Sequence, residues 1–169
     1  MGDIKRLNAA AGFTMVELIT VIVILSVLAA SVAVRLVRFN SESHRAVVFA
    51  TAGAFISAAS LAQHACITRN YFGRDNMPGY GNDDVDFSPT CFPASTNNAN
   101  GPVNNNRCIQ IWNAILAKAP TINAGNGPNS DFRGQGSGTT CTYTYKKDPS
   151  AVRLFTYSTQ TGTVAITNP

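Results

Sequence analysis

Residues 13–34 read FTMVELITVIVILSVLAASVAV, an apolar run whose only charge is Glu17. At ~1.5 Å of rise per residue such a helix is long enough to cross a bilayer core of about 30 Å. The leader in front of it, MGDIKRLNAAAG, carries Asp3, Lys5 and Arg6, while Arg35 and Arg38 follow the apolar run. The positive-inside tendency keeps the leader cytoplasmic, and the two arginines beyond the run weaken that bias. A secretory signal places its small-residue cleavage motif after the apolar region, whereas here Ala9, Ala10, Ala11 and Gly12 stand before it. Cleavage at that point would leave the apolar helix on the mature chain. An uncleaved signal anchor is the plainer alternative, and Glu17 argues against it. A carboxylate costs on the order of 2.5–3.5 kcal/mol at the bilayer centre, less near the interface, so it needs a partner. If the chain is cut after Gly12, the new α-amino group of Phe13 supplies a cation at the same depth, on the same molecule or on a neighbour. Neutralising that pair between protomers would favour packed helices over an isolated span.

The helix is expected to continue, because residues 35–68 contain no proline and a single glycine, Gly53, which costs only about 1 kcal/mol. Val48, Ala52, Phe55, Ala59, Ala62 and Cys66 recur at spacings of four and three and so form one face. A face so rich in alanine lets another element approach closely. Residues 13–68 would make a rod roughly 80 Å long, its first half in lipid and its second against a globular head.

After Asn70 glycine, proline, asparagine and aspartate become frequent. Met77-Pro78-Gly79 and residues 95–106 read as turns and loops. A short helix is expected over 106–117, with Cys108, Ile111, Trp112, Ile115 and Leu116 on one face and Pro120 beyond its end. Residues 125–138 read as loop. Short strands are expected over 140–145, 152–157 and 163–167, joined by Lys147-Asp148-Pro149-Ser150 and Gln160-Thr161-Gly162. The fold class is α+β: a long N-terminal helix packed on a small antiparallel head, here a three-stranded meander. The organisation expected is a leader over 1–12, an apolar helix over 13–34, an amphipathic half over 35–68 and a head over 69–169.

The chain has 169 residues and a formal net charge of +4, yet only 13% of its residues are charged. Losing the leader would leave about +3, with the cations scattered, which argues against a nucleic-acid surface built on a dense basic patch. Arg69, Arg74, Lys146 and Lys147 could contribute phosphate contacts, but they also read as ordinary exposed cations. Trp112, Tyr143, Tyr145 and Tyr157 could stack on bases or sugars, and at their spacing they read as core and strand-face residues.

All four cysteines, Cys66, Cys91, Cys108 and Cys141, follow the apolar run and match no close metal-binding pair. An even count in an exported region points to two disulfides. Neither His44 nor His64 stands at ligand spacing from a second imidazole or a carboxylate, so zinc is not expected. Asp83, Asp84 and Asp86 cluster in a Gly/Asn-rich loop; they read as solvated loop charges, with a weak Ca²⁺ site as the alternative. No catalytic motif frames them, so an exported hydrolase on a signal anchor has little support, and no cofactor is expected.

Gly12-Phe13-Thr14-Met15-Val16-Glu17-Leu18-Ile19 resembles the prepilin cleavage motif of type IV pilins and type II secretion pseudopilins. In that family a glycine precedes a phenylalanine, and a glutamate stands fifth in the mature chain. The resemblance implies that a membrane aspartyl prepilin peptidase cuts between Gly12 and Phe13 and methylates the Phe13 amine. It implies that Glu17 pairs with the Phe13 amine of an adjacent subunit during filament assembly. Val34 stands where many members carry a helix-breaking proline, which leaves the local unwinding of those members without its usual cause. Cys108 to Leu116 (CIQIWNAIL), Cys141-Thr142-Tyr143-Thr144-Tyr145 and Thr161-Gly162-Thr163-Val164 resemble the head of mannose-sensitive haemagglutinin (MSHA) pilins.

These resemblances imply a structural subunit of a type IV pilus serving surface attachment, not an enzyme. Its partners would be other pilin subunits, the prepilin peptidase, the pilus assembly platform and, before assembly, the inner membrane; any glycan or host ligand is unknown. It would sit in the inner membrane as a single-pass protein and then in an extracellular filament. A type II secretion pseudopilin and a DNA-uptake minor pilin are the alternatives. Three disulfide pairings are open. Cys108 opens the short helix and Cys141 the first C-terminal strand, which favours a bond between them and leaves Cys66 to meet Cys91.

Overall fold

A computed structural model describes residues 13–97, 101–127 and 129–167, and gives only the backbone of residues 33, 34, 36 and 37. The leader, Gly12 and part of the loop expected over 95–106 lie outside the described residues. The chain divides into two compact units, Met1–Asn40 and Ser41–Pro169. Helix α1 covers Met15–Thr68 and contributes to both. It runs without a break through position 34, as a chain lacking proline there should.

In the first unit α1 begins on a capping box. The Glu17 N–H donates to Thr14 Oγ1 at 3.2 Å, while the Thr14 N–H and hydroxyl both donate to Glu17 Oε2 at 2.9 Å. The polar side chains that follow are bonded back to their own helix. Thr20 donates to the Val16 and Glu17 carbonyls at 3.0 and 2.9 Å, Ser26 to Val23 O and Ser31 to Leu28 O, both at 2.8 Å. The stretch Met15–Val32 is long and apolar enough to span a membrane, and none of it is buried. Arg38–Thr68 passes the same test of length and composition, but a third of it is buried.

In the second unit α1 lays its apolar stripe on a sheet. Val48, Ala52, Phe55, Ala59, Ala62 and Cys66 are all buried. Facing the first four of these are β4 (Phe132–Ser137), β5 (Thr140–Tyr145), β6 (Arg153–Ser158) and β7 (Val164–Thr167), an antiparallel meander, with β3 (Ile122–Asn123) added in parallel to β4. Helix α2 (Asn105–Ile115) is capped by Asn104, whose side chain accepts from Arg107 N at 3.0 Å. Strand pair β1 (Asp86–Phe87) and β2 (Pro93–Ser95) forms a second small sheet.

The three-stranded meander expected from the sequence is therefore a five-stranded mixed sheet, and residues 125–138 are not all loop. Strand β4 reads FRGQGS, with glycine where strand propensity is poor. The register explains the glycines. A Cβ on Gly134 would approach Ile109 and Ile122 to 3.1 Å, and one on Gly136 would meet the Asn104 backbone at 2.5 Å. These two alternate positions face α2, so the absence of side chains lets the helix lie close on the strand. The Asn105 side chain then accepts from Gly136 N at 3.0 Å.

The main core centres on Phe55, whose ring lies 5.0 Å from Tyr157, 5.2 Å from Tyr143, 5.7 Å from Phe155 and 6.1 Å from Trp112. The polar tips of three core rings are bonded to backbone carbonyls. Trp112 Nε1 donates to Pro120 O at 2.9 Å, Tyr143 OH to Cys108 O at 2.9 Å, and Tyr157 OH to Pro93 O at 3.0 Å. A second cluster joins Ala62 and Cys66 to Met77, Val85, Phe87 and Cys91.

Candidate functional site

Phe13 precedes the first turn of α1 and is 84% exposed, with the apolar residues after it also turned outward. Glu17 occupies the first turn, where a carboxylate is favoured by the helix dipole. A carboxylate in an apolar helix needs a partner. The chain gives Glu17 a local one, since Thr14 supplies two donors to Oε2. No ion pair among the described residues involves Glu17. A carboxylate accepts about four hydrogen bonds, so the cap leaves capacity on Oε1 for a further donor or cation. The cleavage position itself, Gly12, lies outside the described residues.

Cys66, in the last turn of α1, is bonded to Cys91, and Cys108, in the first turn of α2, to Cys141 on β5. The Cα atoms stand 5.6 and 5.5 Å apart, ordinary spacings for a disulfide. Cys91 takes a left-handed backbone, φ 64°, inside a turn closed by Ser88 and Phe92, a conformation that spacing could not reveal. With Cys66 committed to a disulfide, the neighbouring exposed His64 has no thiolate beside it.

The acidic loop disperses. Asp86 is buried and accepts from Asn76 N at 3.0 Å and from the Ser95 hydroxyl at 2.5 Å, joining β1 to β2. Asp83 accepts from Gly79 N at 2.5 Å and Asp84 from Asn82 N at 3.0 Å, as residues that shape turns. Among the described residues no three His, Cys, Asp or Glu side chains are grouped so as to hold a metal ion. Asp86 thus acts as a buried strap of the small sheet.

Three of the four candidate phosphate contacts have neighbours within the head. Arg69 donates to the Pro78 carbonyl, and Arg74 lies 5.7 Å over the Tyr71 ring. Lys146 donates to Gly127 O and to Ser130 Oγ. Trp112, Tyr143 and Tyr157 are core residues, and burial pushes the phenols of Tyr143 and Tyr157 far above their ordinary value. Tyr145, also raised by burial, meets His44 of α1 with its hydroxyl 3.3 Å from Nδ1.

Asp148, in the turn before β6, and Arg153, at the start of β6, form a charged pair that no local pattern in the sequence signals. Arg153 Nε donates to Asp148 Oδ2 at 2.6 Å, with both side chains almost wholly buried. Hydrogen bonds from Ser150, and then Arg153, hold the Asp148 carboxyl well below the usual range. Arg153 Nη2 also donates to Ser41 Oγ at 2.9 Å, tying β6 to the start of the second unit on α1.

Residues 7–33 match the family model described as the prokaryotic N-terminal methylation motif, which is typical of type IV pilins and prepilins. The fold accords with that class: a long N-terminal helix, apolar in its first part, and an α+β head. Searches of curated proteins and of solved structures return no match. The motif supports a pilin-like or pseudopilin-type chain and suggests a structural subunit, and the apolar helix is consistent with anchoring in a membrane.

Proposed function

We propose that this chain is a structural subunit of a type IV pilus used for surface attachment. The observation that carries the reading is the run from Gly12 to Glu17 set before an apolar, outward-facing helix. The small-residue leader end supports cleavage before Phe13 and methylation of its amine. Glu17, capped by Thr14 but with acceptor capacity to spare, is the candidate partner for the Phe13 amine of the next subunit. The stretches Cys108 to Leu116 and Cys141 to Tyr145 support a pilus of the mannose-sensitive haemagglutinin kind. The ligand is left open.

The decisive experiment is electron microscopy of sheared surface filaments, combined with mass spectrometry of the subunit. A methylated Phe13 start in filaments that vanish or shorten when the gene is deleted is the expected result. Recovery of the chain only from the cell envelope, in cells whose surface filaments are unchanged by the deletion, supports the pseudopilin instead. Met1 at the mature terminus overturns the processing.

A further inference from the structure

The loop after β3 contains the dipeptide Asn126-Gly127, and both residues are exposed. Arg133 Nη1, on β4, donates to the Asn126 side-chain carbonyl Oδ1 at 2.5 Å. Lys146, on β5, donates to the Gly127 carbonyl. Two cations thus converge on one short peptide segment. Among the described residues no acceptor takes the Gly127 N–H, and glycine puts no side chain beside that nitrogen.

We propose that Asn126 is a site of self-catalysed deamidation, promoted by Arg133. The Gly127 nitrogen gives up its proton to solvent base and attacks Cγ of Asn126. A C–N bond forms, and the side-chain amide leaves as ammonia once protonated. Water then opens the five-membered imide at either carbonyl, leaving aspartate or isoaspartate. No oxidant, reductant or cofactor enters. Negative charge develops on Oδ1 as the nitrogen adds, and Arg133 is already bonded to that oxygen. A preplaced cationic donor stabilises a developing oxyanion, although exposure to solvent keeps the effect well below that of an enclosed site. The product is favoured too. A neutral amide is replaced by a carboxylate beside Arg133 and Lys146, whose nearest acceptors here are otherwise neutral oxygens. The head would therefore exchange one local positive excess for a paired site as it ages.

The chain carries its own reference. Asn100-Gly101-Pro102 repeats the sequence Asn126-Gly127-Pro128 at a second place. The test is to incubate the purified full chain at neutral and mildly alkaline pH and follow both asparagines by peptide mapping with isoaspartate detection. Conversion at Asn126 that accelerates with pH is expected. Arg133→Gln should slow it roughly three- to tenfold relative to Asn100, and Arg133→Lys should restore part of the rate. Gly127→Ala should slow it strongly without unfolding the head, because the methyl hinders attack by the same backbone nitrogen and a Cβ there meets only Asn123 Nδ2 at 3.9 Å. An Asn126 that stays intact while Asn100 converts would overturn the proposal, as would Arg133→Gln leaving the ratio unchanged or raising it.

Discussion

Arg153 on β6 reaches Ser41 on α1 with its guanidinium, Nη2 to Oγ at 2.9 Å, while its Nε holds Asp148 at 2.6 Å. A buried charge is tolerated only when paired and hydrogen-bonded, and this arrangement satisfies both ends. The helix is thereby fastened to the sheet at the residue where the second unit begins.

That pair makes stability depend on acid. The Asp148 carboxyl titrates below its unfolded value of about 3.9, so its contribution is complete above that pH and is lost as pH falls toward the folded value. The wild-type melting temperature should fall steeply below about pH 4. Asp148→Asn should melt lower at neutral pH and respond less to acid. Parallel curves for the two proteins would remove Asp148 as the cause.

Phe55 touches four other aromatic rings, and its deletion would leave a cavity between α1 and the sheet. Phe55→Ala should cost about 3–5 kcal/mol in chemical denaturation of the detergent-solubilised chain. A cost under about 1 kcal/mol would mean that the cluster repacks or that the helix is held mainly elsewhere.

Two glycines should respond in opposite directions. Gly136→Ala forces a methyl into the Asn104 backbone and should destabilise the head and loosen α2. Gly53→Ala, in a helix with nothing within 4 Å of the added carbon, should stabilise it by roughly 0.5–1 kcal/mol. Melting temperatures of both variants decide the matter: an unchanged or raised value for Gly136→Ala would contradict the packing described for β4, and a lowered value for Gly53→Ala would contradict the open space around that position.

Each disulfide is expected to contribute on the order of 3–4 kcal/mol by restricting the unfolded chain. Cys108→Ser or Cys141→Ser opens the bond inside the main core and should lower the envelope level of the protein through proteolysis. Cys66→Ser, in the smaller cluster, should be milder. Non-reducing peptide maps provide the check: a Cys66–Cys108 or Cys66–Cys141 crosslink, or free thiols, would contradict the bonds described.

Glu17 has two separable capacities, as cap acceptor and as charge. Glutamine can close a capping box, so Glu17→Gln keeps the first role and removes the second. Both Glu17→Gln and Glu17→Ala should remain in the membrane yet fail to enter filaments. Thr14→Ala should cost only about 1 kcal/mol of helix start and assemble in reduced amount. Filaments of wild-type abundance from Glu17→Gln would show that the charge is dispensable.

The long helix, its buried stripe and three of the sheet strands were legible because each follows one periodicity over several residues. Strand β4 was not. Gly134 and Gly136 lower strand propensity, and the reason for them, the nearness of α2, is a tertiary contact with no local signature. Asp86 misled in the same way, since a carboxylate in an Asp-rich loop gives no sign that Ser95 and Asn76 will draw it inward. The spacing Thr14-x-x-Glu17 is itself a capping-box signature, so the nearest hydroxyl competes with the Phe13 amine for the Glu17 carboxylate.

The hydroxyls of Thr20, Ser26 and Ser31 are each turned back onto a carbonyl of their own helix. Such a surface has no hydrogen bond to break on leaving lipid and none to find on arriving among other helices. Moving it between the two surroundings exchanges one set of dispersion contacts for another of similar strength. Neither azimuth nor depth is prescribed by polar bonding along this stretch, so a helix of this kind can slide and rotate until the groups at its ends decide where it stops.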